Sequence, residues 1–122
     1  MPSTLRDDLR KKLANGEFHC EKELTMSIIS GKYKVVILWH LGHDGPMRYG
    51  EIHRLFREIS NRILTKQLRE LEQDDIVDRT IYPESPPHVE YRLTDRGRTL
   101  VPVVDVIYGW GCANIDFYRR SM

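Results

Sequence analysis

The stretch SNRILTKQLRELEQDDIVDR, residues Ser60 to Arg79, carries two patterns in succession, and the change between them decides the fold. At about 100° per residue, Leu64, Leu68 and Leu71 fall within about 60° of one another on a helix, while Arg62, Lys66, Arg69 and Gln73 gather on the opposite side. Ser60 is a good N-cap, since its hydroxyl accepts from a free N–H of the first turn. At Asp74-Asp75 the helical period gives way to alternation, with Val77, Arg79 and Ile81 on one face and Asp78, Thr80 and Tyr82 on the other. Pro83-Glu84-Ser85-Pro86-Pro87 interrupts this strand and Val89 to Leu93 resumes it, which predicts a two-stranded hairpin with a stiff tip.

Upstream, Tyr49 to Arg57 reads as a short helix with Ile52, Leu55 and Phe56 on one side, joined to Ser60 by very few residues. Met47-Arg48-Tyr49 has room for a very short strand. Gly42 to Pro46 predicts a turn, because two glycines and a proline break a regular element. Lys32 to Leu41 carries apolar residues on nearly every side and predicts an enclosed core helix. Helical pieces are expected from Leu5 to Leu13, stopped by Asn15-Gly16, and from Glu21 to Ser30, ending at Gly31.

Downstream, Thr94 caps a final helix expected to run to about Arg120, some 25 residues or ~38 Å. Leu100, Val103, Val104, Ile107, Gly111, Ile115 and Tyr118 lie along it at helical spacing. Pro102 is expected to kink it, and Gly109 and Gly111 to allow close approach of another backbone. So long an apolar helix exceeds what this chain needs for its own core and predicts a partner subunit.

The 122 residues point to one domain, divided into a helical arm (1–30), a helix-turn-helix core and wing (31–93) and a dimerisation helix (94–122). Net charge is only +1, yet between Met47 and Arg69 six basic residues stand against two acidic ones. Nucleic-acid binding needs such a local patch and not a basic average. The longest uninterrupted apolar run, Val35 to Trp39, is too short for a bilayer. The first eight residues show no secretory pattern, so the cytoplasm is the expected compartment and no membrane is expected as a partner.

Two cysteines far apart and without CxxC spacing, Cys20 and Cys112, argue against a disulfide framework or structural zinc site; both are expected as thiols. His19, His40, His43, His53 and His88 match no usual metal-ligand spacing, so neither metal nor cofactor is expected. No phosphate loop, nucleophile elbow or HExxH occurs, so nothing points to an enzyme.

Helix, tight turn, helix with a basic outer face, then hairpin is the order of a winged helix-turn-helix, giving a mainly α fold with a small β-hairpin. Such a helix can enter the DNA major groove while the hairpin touches backbone or minor groove. Arg62, Lys66 and Arg69 suit phosphate or guanine, and Asn61 suits adenine edges, with Gln67 nearer the flank. A solvated helix face, or a winged helix that binds protein instead of DNA, is the competing reading.

The chain also resembles the HxlR-type winged-helix regulators, which are related to the MarR group. The resemblance is carried by Cys20 followed by IISGKYKVVILWHL, then GPMRYGEIHR, ISNRILTKQLRELEQDDIVDR, PPHVEYRLTDRGRTL and a late YGWG, over residues 20 to 112. It implies a homodimeric bacterial transcriptional regulator on an inverted-repeat operator of double-stranded DNA. Ser60, Asn61, Arg62, Thr65, Lys66 and Arg69 match the family's recognition helix. Ser85, Pro86, Pro87 and His88 match its wing tip, and the final helix with Trp110 matches its dimerisation element. Tyr33 replaces the usual tryptophan. Asp75 replaces the usual glycine where a helix ends in a left-handed turn, a conformation Asp tolerates better than most residues. Some members sense electrophiles or oxidants through a cysteine placed like Cys20. Here Lys22 and His19 favour the thiolate, Glu21 and Glu23 oppose it, and a packed thiol is the simpler reading. No pattern names an effector.

Overall fold

The structure is a computed structural model that describes residues 5–18 and 20–122; His19 lies outside them. The elements are α1 (Asp7–Ala14), α2 (Glu21–Ile29), α3 (Lys34–Asp44), β1 (Met47–Arg48), α4 (Tyr49–His53), α5 (Asn61–Gln73), β2 (Val77–Tyr82), β3 (His88–Leu93), α6 (Asp95–Arg98) and α7 (Val101–Arg120). The expected hairpin is present, but the sheet has three strands. β1 pairs antiparallel with β3 through Met47 opposite Tyr91 and Arg48 opposite Glu90, giving the order β1-β3-β2.

Several expected boundaries move, each for a local reason. α3 does not stop at Leu41 but continues through Gly42 and His43 to Asp44; the break comes at Gly45, whose φ of 84° is open to glycine. α4 ends at His53 and not at Arg57. The single final helix is two pieces, because the chain turns at Thr99 and Leu100. Pro102 therefore falls in the first turn of α7, where a missing N–H costs nothing, and does not kink a helix interior. Asp75 does take the left-handed conformation, at φ 61°. Gly97 in α6 is required by contact, since a Cβ there would lie 2.1 Å from the Ile76 carbonyl oxygen.

The core joins Ile37, Leu38 and Leu41 of α3, Ile52 of α4, Leu64, Leu68 and Leu71 of α5, Val77, Tyr91 and Leu93 of the sheet, and Val104 of α7. α3, expected as the enclosed helix, carries three of these. Behind α5 lies a cluster of charges that apolar patterning does not reveal. The Lys34 side chain, 2% exposed, places its ammonium 2.8 Å from Glu70. Arg6 donates from its backbone N–H to Asp74 Oδ1 and from Nε to Asp74 Oδ2, both at 2.9 Å, lies 3.3 Å from Glu70, and also donates to the Ser27 carbonyl. Buried charges persist only when paired in this way.

Burial pushes the Glu70 carboxyl up, but the Lys34 hydrogen bond and the charges of Lys34, Arg6 and Lys66 outweigh it, and its pKa is lowered from 4.5. A lowered carboxylate pKa contributes stability above the unfolded value, and that contribution is lost as pH falls through the folded value. Glu70→Gln should therefore cost about 1–2 kcal/mol at pH 7, a figure reduced for the partial exposure of the carboxylate. The deficit should shrink below the carboxylate range, as read by urea unfolding at neutral and acid pH. An equal deficit at both would contradict the pairing.

Candidate nucleic-acid interface

The helix-turn-helix is built from α4, the turn 54–60 and α5. Ser60 caps α5 as expected, its hydroxyl accepting from Ile63 N–H at 3.1 Å. The turn is closed by the His53 ring, whose Nε2 is 2.9 Å from the Ile59 carbonyl. Ile59, buried, seats the turn on the core. Leu64 and Leu71 are fully buried and Leu68 nearly so, which fixes the rotation of α5 about its axis.

That rotation leaves Asn61, Arg62, Lys66 and Arg69 exposed and Thr65 half-buried. Arg48, Arg54 and Arg57 are exposed on the preceding segments, extending the basic surface. Gln67 lies on the inward flank, where its Oε1 accepts from Tyr33 N–H at 3.3 Å, so it ties α5 to the start of α3. Tyr33 packs edge-on against Phe56, with ring centres 4.8 Å apart.

One contributor was not visible in the sequence. The Tyr49 hydroxyl, from the start of α4, lies 2.9 Å from Asn61 Oδ1, 3.3 Å from the Asn61 carbonyl and 3.5 Å from Thr65 Oγ1. No spacing rule links residues 49, 61 and 65; only the helix-turn-helix crossing brings them together.

In the wing, Ser85, Pro86 and Pro87 are exposed at the tip, with a cis bond between Ser85 and Pro86. His88 is different. Its ring stacks on Tyr82 at 4.8 Å, and Nδ1 is 3.5 Å from Glu84, so the side chain is only 16% exposed and sits behind the tip. Arg79 reaches Glu72 at 3.6 Å and links the wing to α5.

The residues expected along the last helix divide. Val104 is fully buried in the chain's own core, and Leu100 is half-buried against that core, so Val104 is not available as a free contact and Leu100 only in part. Both come at the end of the helix that crosses α3, which accounts for the difference. Ile107, Trp110, Ile115 and Tyr118 are exposed, with Gly111 half-buried among them. Val103, Val106, Tyr108 and Phe117 add to this apolar surface. By length and composition, Asp95–Arg120 is long and apolar enough to cross a membrane, with a mean hydropathy of 1.2 over an 18-residue window; Asp105 and the glycines interrupt its apolar run.

Cys20 occupies the N-cap position of α2 and is half-buried, while Cys112 is exposed on α7; both are free thiols.

Residues 28–118 match the family described as HxlR-like helix-turn-helix. The HTH-type transcriptional regulator YdeP of Bacillus subtilis (strain 168) is 48% identical over 92 residues, 75% of this chain and 71% of YdeP. The redox regulator HypR superposes in its reduced form with a TM-score of 0.77 at 44% identity, covering 83% of this chain and 99% of HypR. Diamide-treated YodB from B. subtilis superposes with a TM-score of 0.63 at 35% identity, covering 79% of this chain and 95% of YodB. With the family matched over most of its length and the recognition-helix geometry in place, this chain belongs to the HxlR-like helix-turn-helix family and is a transcriptional regulator of the HxlR and MarR type.

Proposed function

We propose that the chain acts in the cytoplasm as a homodimer that binds an inverted-repeat operator in double-stranded DNA. α5 of each protomer enters the major groove, and each wing lies against backbone or minor groove. The observation that carries this reading is the division of α5, with three leucines locked in the core and Arg62, Lys66 and Arg69 exposed on the outer side. Ser60, Asn61 and Thr65 are its remaining contacts, and Ser85 and Pro86 are those of the wing, with His88 bracing the tip through Tyr82. The whole chain works as one unit, in which the arm of residues 1–30 holds α5 from behind through Arg6.

The second copy is assigned to α7. One buried residue in a 20-residue helix leaves Val106 72%, Trp110 60% and Phe117 58% exposed, more apolar surface than a monomer keeps without function. A Cβ added at Gly109 or Gly111 would meet nothing within 4 Å in the protomer. Glycine inside a helix costs roughly 0.5–1 kcal/mol relative to alanine, which close approach by a second backbone would justify. Lipid is a poorer cover than a second copy, because Asp105 on this helix pairs with His43 of α3 at 2.6 Å.

The half-buried Cys20 and the likeness to HypR and YodB support oxidant or electrophile sensing as a regulatory layer. The relatives named above are regulators and not enzymes.

Affinity for operator DNA should fall steeply with salt, and Arg62→Ala and Lys66→Ala should each reduce the slope of log K against log salt by about 1 where the side chain holds a phosphate. Salt-insensitive association would favour a protein-binding winged helix. The wild-type protein should sediment as a dimer at micromolar concentration, and Trp110→Glu should shift it to monomer with unchanged helical circular dichroism. A monomeric wild type would contradict the assignment of α7. Cys20→Ser should keep operator binding and lose its release by diamide; release equal to wild type would remove Cys20 as the sensor.

A further inference from the structure

Among the exposed polar residues of α5, Asn61 alone has its side-chain acceptor engaged by a residue of another helix. Tyr49 Oη lies 2.9 Å from Asn61 Oδ1, against 3.3 Å from the Asn61 carbonyl and 3.5 Å from Thr65 Oγ1. A phenol has one proton to give, and the shortest of these contacts takes it. Thr65 can in turn donate its hydroxyl proton to the phenol oxygen. Tyr49 is half-buried at the start of α4, where Glu51 accepts from the Arg48 N–H at 2.9 Å, so the phenol is delivered from an ordered position.

We propose that Tyr49 is a specificity-determining residue: by turning Asn61 Oδ1 toward the protein it leaves Asn61 a hydrogen-bond donor toward the DNA. This rests on the reading of α5 as the recognition helix and names what one of its residues reads. A free asparagine amide suits adenine, accepting from N6 while donating to N7. Oδ1 keeps a second lone pair, but the bond to Tyr49 turns it toward the protein, and Nδ2, on the opposite side of the planar amide, is the part left to face the groove. It can donate to guanine N7 or O6, or to thymine O4, and it gains nothing special from adenine. Cytosine offers only a donor there and is rejected. The adenine preference expected of Asn61 from its side-chain chemistry is therefore replaced by recognition of an acceptor-bearing base.

The test is selection of bound sequences from random duplex DNA by the wild-type protein, Asn61→Ala and Tyr49→Phe, with thermal unfolding of all three. Asn61→Ala should flatten the preference at one base-pair position of each half-site. At that position the wild type should exclude cytosine without preferring adenine over guanine. Tyr49→Phe should bind the wild-type operator within about tenfold and unfold normally, yet enrich adenine about fivefold or more at the same position, as a freed bidentate pair allows. The inference is overturned if Asn61→Ala flattens nothing, if the wild type already selects adenine there, or if Tyr49→Phe leaves the preference as it was. A uniform loss of affinity in Tyr49→Phe would likewise overturn it, leaving Tyr49 a merely structural role. If the wild type enriches no sequence at all, the DNA-binding reading itself fails and takes this inference with it.

Discussion

The rotational setting of α5 is the constraint on which the rest depends, and it is held from two sides. Toward the core, Leu64, Leu68 and Leu71 bury against α3, α4 and the sheet. Each fully buried leucine contributes about 1.5–3 kcal/mol over the exposed state, so a rotation that lifted all three would cost about 4.5–9 kcal/mol, a large part of a small domain's net stability of about 5–15 kcal/mol. Toward the arm, Glu70 and the adjoining Asp74 meet Lys34 and Arg6. The leucines supply energy; the charges supply direction, since an ammonium buried to this depth accepts few positions for its partner. Arg62, Lys66 and Arg69 face outward as a consequence of those contacts.

The same helix is connected at both ends to parts with other tasks. At its start, Ser60, His53 and Tyr49 fix the first turn. At its end, Asp75 in a left-handed conformation reverses the chain into β2, and Arg96 lies 3.4 Å from its carboxylate. Thr94 closes this corner by donating to the Asp75 carbonyl at 2.7 Å. α7 then leaves the core after Val104; Tyr108 still packs edge-on against Trp39, with ring centres 5.1 Å apart, but most of the apolar surface beyond that point is exposed. The exposed faces of α5, the wing and α7 are thus set by one corner between α5, the sheet and α6.

Much of this was legible in the sequence. The order of elements, the Ser60 cap, the leucine stripe and the switch to alternation at Asp74-Asp75 follow from periodicity over long segments, where the signal is strongest. The third strand was marginal because two residues carry no period. The break at Thr99 and Leu100 was missed because apolar spacing runs on across it. Val104 and Ile107 occupy one spacing series, yet one is buried at home and the other exposed; only the angle at which α7 crosses α3 separates them. Lys34 in an apolar run was a visible irregularity, but its partner stands 36 positions away and Arg6 is 68 from Asp74, beyond any local rule. Tyr49 was invisible as a site residue for the same reason.

The central claim is that two copies of α5 lie in successive major grooves on one face of the DNA. Dimethyl sulfate interference on a selected operator tests it most directly, because methylation at guanine N7 blocks the major groove and at adenine N3 the minor. Two guanine N7 clusters are expected, with centres about 10–10.5 base pairs apart and related by the operator's dyad. A single cluster, or interference confined to adenine N3, would contradict it.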